Sequence, residues 1–275
     1  MSVYFDHLVL NVKDLDGAIN EFREAGFTVT EGGIHKGGLS KNAIIFFEDD
    51  TFIELFTMTD SIKSRIVRLL KNFKFFKRFQ YSKKWGLAYR FYSRALELPE
   101  GIIDIGFLSD DYDTEWSRIN TEGIFLTKSM NASRKKPDGS KASWQMASPF
   151  INELPFLRSP YRPVNELSPE VTEHVNKVTG ISNVKVIALD YKDMVSKYQT
   201  FLGVSATTGD KNGQMAKFQL KGVSVEIIKS SEHKEIRDQL RGKGMGMYGV
   251  VFKKDSTEKP EMISDKLRGL AVMED

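Results

Sequence analysis

The chain has 275 residues, of which 40% are apolar and 28% charged, with no cysteine. That composition belongs to a globular protein and excludes a disulfide framework, a thiolate metal site and a cysteine nucleophile; no stretch reaches the ~20 apolar residues of a membrane-spanning helix. Net charge is only +3, yet eleven Lys and Arg and no acid fall between Lys63 and Arg94, so the remainder of the chain is net acidic.

The N-terminal stretch MSVYFDHLVL places no basic leader before its apolar run, which makes the cytoplasm the expected compartment. Apolar residues alternating about His7 predict a strand over 4–12, followed by a helix from Asp14 to Ala25 that Gly26 closes. Strands are expected at 27–30, 42–47 and 52–56, the last after a Glu-Asp-Asp-Thr turn, which makes the unit βαβββ. Residues 60–98 break the pattern. Ile62, Ile66, Leu69, Leu70 and Phe73 stand at helical spacing, predicting an amphipathic helix from Asp60, and residues 72–85 interleave aromatic with basic side chains.

A second unit follows, with a strand over 102–108, a helix over 112–121 and strands near 124–129, 140–147 and 154–158; Lys136-Pro137-Asp138-Gly139-Ser140 is its turn. Ser168-Pro169-Glu170 marks a linker helix within 166–178. Beyond it a third unit runs through a strand at 181–186, a helix at 191–201 and strands at 213–220 and 223–227. A fourth starts with a strand at 247–252 and a helix at 261–269, then stops.

Repetition makes the units comparable position by position. Where the first carries His7, the others carry Asp104, Asn183 and Tyr248. The expected class is α+β: residues 1–165 hold two modules with the insertion at 60–98, 166–178 link them to the rest, and 179–275 form a smaller related domain of a third module plus a truncated fourth.

Paired βαβββ modules with a His in the first strand and a Glu in the fourth resemble the vicinal oxygen chelate superfamily. Three stretches are similar to its glyoxalase-like domain subfamily: Phe5-Asp6-His7-Leu8-Val9; Gly32-Gly33-Ile34-His35-Lys36-Gly37 with Asn42 and Phe52-Ile53-Glu54-Leu55; and Arg134 to Gly139 with Trp144 and Leu154-Pro155-Phe156. The resemblance implies two modules curled into an open barrel of mixed sheet around a divalent metal, with ligands from the first and last strand of each. Carried over, His7, Glu54 and Asp104 become ligands, and the fourth position falls near Phe156 to Arg158, where no ligand residue stands.

By residue chemistry alone, a His with carboxylates suits Zn, Mn, Fe or Ni. His35 can supply a second imidazole, although a His in a glycine-rich turn also serves to cap backbone groups. His7 and Glu54 can equally form a metal-free polar lining of a pocket, or a buried hydrogen-bonded pair. Glu54 is the candidate catalytic carboxylate, and Asn42, Arg134 and Trp144 are candidate substrate contacts; for Arg134 the alternative is a solvated hairpin tip. His174 and His233 read as surface residues. No phosphate loop or dinucleotide fingerprint indicates a nucleotide cofactor. The basic aromatic segment reads as a lid over the barrel mouth in preference to a nucleic-acid or membrane-surface site, and the incomplete fourth unit leaves room for a homodimer. The function expected is a metal-dependent lyase, isomerase or dioxygenase acting on a small oxygenated molecule, with a metal-free small-molecule binding protein as the alternative.

Overall fold

The computed structural model describes residues 3–70, 77–135, 139–164, 167–208, 213–230, 247–254, 266–268 and 270–273. Alternating apolar runs form its strands. The first module comprises β1 (Tyr4–Asn11), α1 (Leu15–Glu24), β2 (Thr30–His35), β3 (Ser40–Phe46) and β4 (Phe52–Met58). Helices α2 (Ile62–Leu70) and α3 (Gly86–Glu97) lie in the insertion, and the second module follows as β5 (Gly101–Leu108), α4 (Tyr112–Thr121), β6 (Met130–Lys135), β7 (Lys141–Ala147) and β8 (Phe156–Arg158). After the single turn α5 (Pro169–Thr172) come β9 (Val178–Ala188), α6 (Tyr191–Leu202), β10 (Thr207–Thr208), β11 (Met215–Gln219), β12 (Ser224–Lys229), β13 (Met247–Lys254), β14 (Lys266–Leu267) and β15 (Leu270–Met273).

One device starts the helix of each of the three full modules. Asp14, Asp111 and Asp190 accept from the backbone N–H of Gly17, Thr114 and Asp193 at 3.1, 3.4 and 3.2 Å, caps of ~1 kcal/mol each. The strands of the first two modules form one closed barrel in the order β1-β4-β3-β2-β6-β7-β8-β5. Its closing seam is short, with Ile34 opposite Lys135 and His35 opposite Arg134, and those pairs shut a barrel that was expected to stay open. The C-terminal sheet repeats the module order as β10-β11-β12-β9, then adds β13, β15 and β14.

Successive side chains of a strand point to opposite faces. In the barrel one face sends Leu8, Leu10 and Phe107 outward to a core shared with Phe22 of α1 and Phe201 of α6. The other face sends Val9, Phe56, Met58, Ile103, Met146 and Phe156 inward, where Leu87, Phe91 and Ala95 of α3 meet them. Helix α3 thus plugs one mouth of the barrel.

Several expectations are corrected here. The strand placed at 27–30 begins at Thr30 and runs through the glycines to His35, because its backbone pairs with both β3 and β6. The strand placed at 124–129 lies at 130–135; residues 126–128 bond instead to other loops, Thr127 N–H to Ser148 at 2.9 Å and Lys128 N–H to Lys83 at 2.7 Å. The apolar stripe of α2 does not pack: Ile62 and Leu69 are 77% and 71% exposed. The helix expected at 261–269 gives way to strands at 266–267 and 270–273, and 261–265 lie outside the described residues, as does His233.

His174 is likewise buried. Its Nδ1 accepts from the Thr28 N–H at 2.9 Å, and its ring meets Phe27 and Phe47 edge-on. Burial lowers its pKa from 6.5 to about 4. The unfolded chain therefore binds this proton more tightly, so the contribution to stability is complete above the unfolded value and is lost as pH falls through that window. Denaturant unfolding will show the decline, and His174→Asn, which keeps an acceptor for Thr28, will flatten it; an unchanged slope would assign the decline to other groups.

Candidate active site in the barrel interior

A β-bulge aims the first functional side chain. Opposite β5, Phe5 pairs with Phe107 and His7 with Gly106, so Asp6 is the extra residue between them. A bulge breaks alternation, so Asp6 and His7 are both buried, while Phe5 turns to the outer core and meets Phe107 edge-on at 6.0 Å. Strict alternation would put Phe5 on the face of His7; the extra residue is what separates them. Gly106 leaves room for the imidazole, since a Cβ there would collide with it. The ring stacks on Phe52 at 4.2 Å and 7°.

His7 Nδ1 is engaged by Asp6 Oδ2, and Asp6 also accepts from Arg158 Nε and Nη2 at 2.6 and 2.7 Å. The other ring nitrogen, Nε2, faces Glu54 Oε2 at 3.7 Å. Glu54 Oε1 accepts from the Asn42 side-chain amide at 2.7 Å and lies 3.4 Å from His35 Nε2, while His35 Nδ1 stands 3.0 Å from Ser40 Oγ. The structure thus gathers His7, His35, Glu54 and Asn42 into one cluster, with His35 on a strand and not in a turn. Burial alone would raise the Glu54 pKa, but His35 and then His7 hold it well below the usual carboxylate range. Burial would lower that of His7, and Asp6, then Glu54, carry it upward instead. Glu54 and His35 keep 14% and 17% of their side chains exposed, so solvent still touches the cluster.

Arg134 extends this cluster. It sits directly opposite His35 across the seam, which puts both side chains on one face, and it is 5% exposed rather than solvated. Trp144 is half-buried and meets Tyr161 edge-on at 5.1 Å. Asp104 is not brought to the cluster. It accepts from Arg90 Nε and Nη2, both at 2.7 Å, and from Arg94 Nη1; two guanidiniums hold it ionised against burial.

Sequence reading missed Arg90, Arg94, Arg158 and Tyr161. For the first two a signal existed: positions four apart share a helix face, and Leu87 and Phe91 mark that face as apolar. Nothing local distinguished Tyr161, which lies in a loop. It helps to wall a cavity of about 430 Å³ with Asp6, Phe52 and Arg158.

Among the described residues, no group of three or more His, Cys, Asp and Glu stands ready-made around a metal position. The donor chemistry nonetheless fits a divalent ion. Two ligands bound at ~2.1 Å stand roughly 3.0–3.4 Å apart, and the imidazoles lie 3.4 and 3.7 Å from the two separate oxygens of Glu54. Both rings also have their far nitrogen engaged, as metal-bound histidines do.

A sequence model described as glyoxalase-like domain matches residues 5–202. No curated protein sequence matches the chain. Among solved structures, a hypothetical protein from Staphylococcus aureus is similar with a TM-score of 0.74 and 15% identity, over 100% of this chain and 99% of that one. A mutant 4-hydroxymandelate synthase from Streptomyces coelicolor gives 0.58 and 11%, over 91% of this chain and 71% of that one. A xylose isomerase-like TIM barrel/4-hydroxyphenylpyruvate dioxygenase fusion protein gives 0.51 and 13%, over 94% and 38%. At these identities the likeness is one of fold.

Separating Asp104 from the Glu54 cluster has a measurable consequence. Asp104→Asn leaves two buried guanidiniums without a carboxylate and is expected to cost ~3–5 kcal/mol of unfolding free energy. Chemical denaturation tests this; a loss below ~1 kcal/mol would show that the arginines find other acceptors.

Proposed function

The chain belongs to the glyoxalase-like domain family, and from that membership we propose that it is a metal-dependent enzyme of the lyase, isomerase or dioxygenase type acting on a small oxygenated substrate. One observation carries the reading: two imidazole Nε2 atoms face a single ionised carboxylate inside an apolar barrel, each with its Nδ1 tied elsewhere. His7, His35 and Glu54 would hold the ion, with Zn, Mn, Fe and Ni compatible by ligand type. A bound divalent ion supplies Lewis acidity toward substrate oxygens.

The remaining roles fall to this chain's own side chains. Asp6, itself held by Arg158, fixes the orientation of His7, and Phe52 stacks on the ring. Asn42 donates to Glu54 and fixes its carboxylate. Glu54, kept ionised by its histidine neighbours, is the group able to take a proton from a bound substrate. Phe156 meets the ring of His7 and Phe56 that of His35, which keeps the surroundings of the site apolar. No helix among the described residues is long and apolar enough to cross a membrane, and the cytoplasm is the compartment proposed.

A second reading, a metal-free protein that binds a small molecule, is favoured by one fact. The second module spends Asp104 on arginines and carries Phe156 at the position that matches Glu54, so it contributes no ligand there. Metal content decides between the two. Protein purified without a histidine tag is expected to hold about one equivalent of Fe, Mn, Ni or Zn, and Glu54→Gln to hold none. Absence of metal from the native protein even after incubation with each ion would overturn the metalloenzyme reading in favour of the second.

A further inference from the structure

Four arginines of the barrel are buried: Arg90, Arg94, Arg134 and Arg158, each at 7% exposure or less. Three have carboxylate partners, Asp104 for Arg90 and Arg94 and Asp6 for Arg158. Arg134 has none. Its Nε lacks any hydrogen-bond partner, and among the described residues it makes no ion pair. Its guanidinium carbon lies 5.5 Å from the ring centre of Tyr161, and burial raises the pKa of that phenol, so it stays neutral and supplies no counter-charge. Burying an unpaired cation is costly, and the cost is justified where a ligand brings the missing anion.

We propose that the ligand of this barrel is a small carboxylic acid whose carboxylate pairs with Arg134, its carbon skeleton lying against Trp144 and Tyr161 and its far end reaching toward Glu54. Three features select that chemistry. The free Nε edge of a guanidinium matches a carboxylate bidentately. A monoanion balances Arg134 one for one, whereas a phosphate dianion would bring surplus negative charge toward Glu54. The nearby walls are aromatic, with Trp144 against Tyr161 on one side and His35 against Phe56 at 5.8 Å on the other. This inference rests on the reading above only in taking the barrel interior as the ligand site; it needs no metal.

Benzoate and benzamide, alike in shape and differing in charge, are the probes, titrated by calorimetry into the metal-free full-length protein in EDTA. Benzoate is expected to bind at least ~10-fold more tightly than benzamide, the scale of one charge-assisted hydrogen bond. Arg134→Gln is expected to remove that preference, while Lys135→Gln, at the exposed position beside it, keeps it. A control separates this from a scaffold role: with no ligand present, Arg134→Gln is expected to melt at or above the native temperature, because it deletes an unpaired charge. Equal binding of the two probes, no benzoate binding, or a destabilised Arg134→Gln protein would each overturn the proposal. None of these outcomes bears on metal uptake, so failure of the metal reading remains distinguishable.

Discussion

Every charge inside the barrel must find a counter-charge, and the way this chain solves that problem arranges most of what lies there. A carboxylate taken from water into an apolar interior is tolerated only when paired and hydrogen-bonded. Asp6 takes Arg158 on one side and the Nδ1 of His7 on the other. Asp104 takes Arg90 and Arg94. Glu54 is left with two imidazoles and an amide, partners that are weak enough to exchange.

That division separates two tasks between duplicated modules. At one structural position the first module keeps His7 and the second has Asp104, and the insertion between them supplies the arginines that make Asp104 tolerable. Helix α3 is therefore held in the barrel mouth by ion pairs as well as by Leu87, Phe91 and Ala95. The second module and the insertion pair their charges at one end of the barrel, and the first module leaves its carboxylate to two imidazoles and an amide. Among the described residues Arg134, reaching the same interior across the short β2–β6 seam, is a buried basic group left out of this pairing.

Much of the fold was legible because it is local. Strand alternation, the helices expected from Asp14 and over 112–121, and the spacing of the repeats depend on residues close in sequence, and the family resemblance in the first module named His7, His35, Glu54 and Asn42 together. What failed, failed where long-range contacts overrode local pattern. Glycines at 32 and 33 read as a turn, yet strands on both sides hold them extended. Lys135 and the following turn made Arg134 look solvated, yet closure of the barrel buries it. The apolar stripe of α2 predicted a packed helix, yet the neighbour that fills the barrel is α3.

By itself, then, the sequence determined the repeated modules, the strand that carries His7, and the chemical types available to a site, because periodicity and residue identity act over a few positions. Only tertiary structure decided which charges neutralise one another. It gave Asp104 to two arginines from the insertion, gave Asp6 to an arginine 152 positions away, and left Arg134 without an anion among the described residues. Those pairings join residues far apart in the chain, and burial, which makes them obligatory, exists only once the barrel has closed.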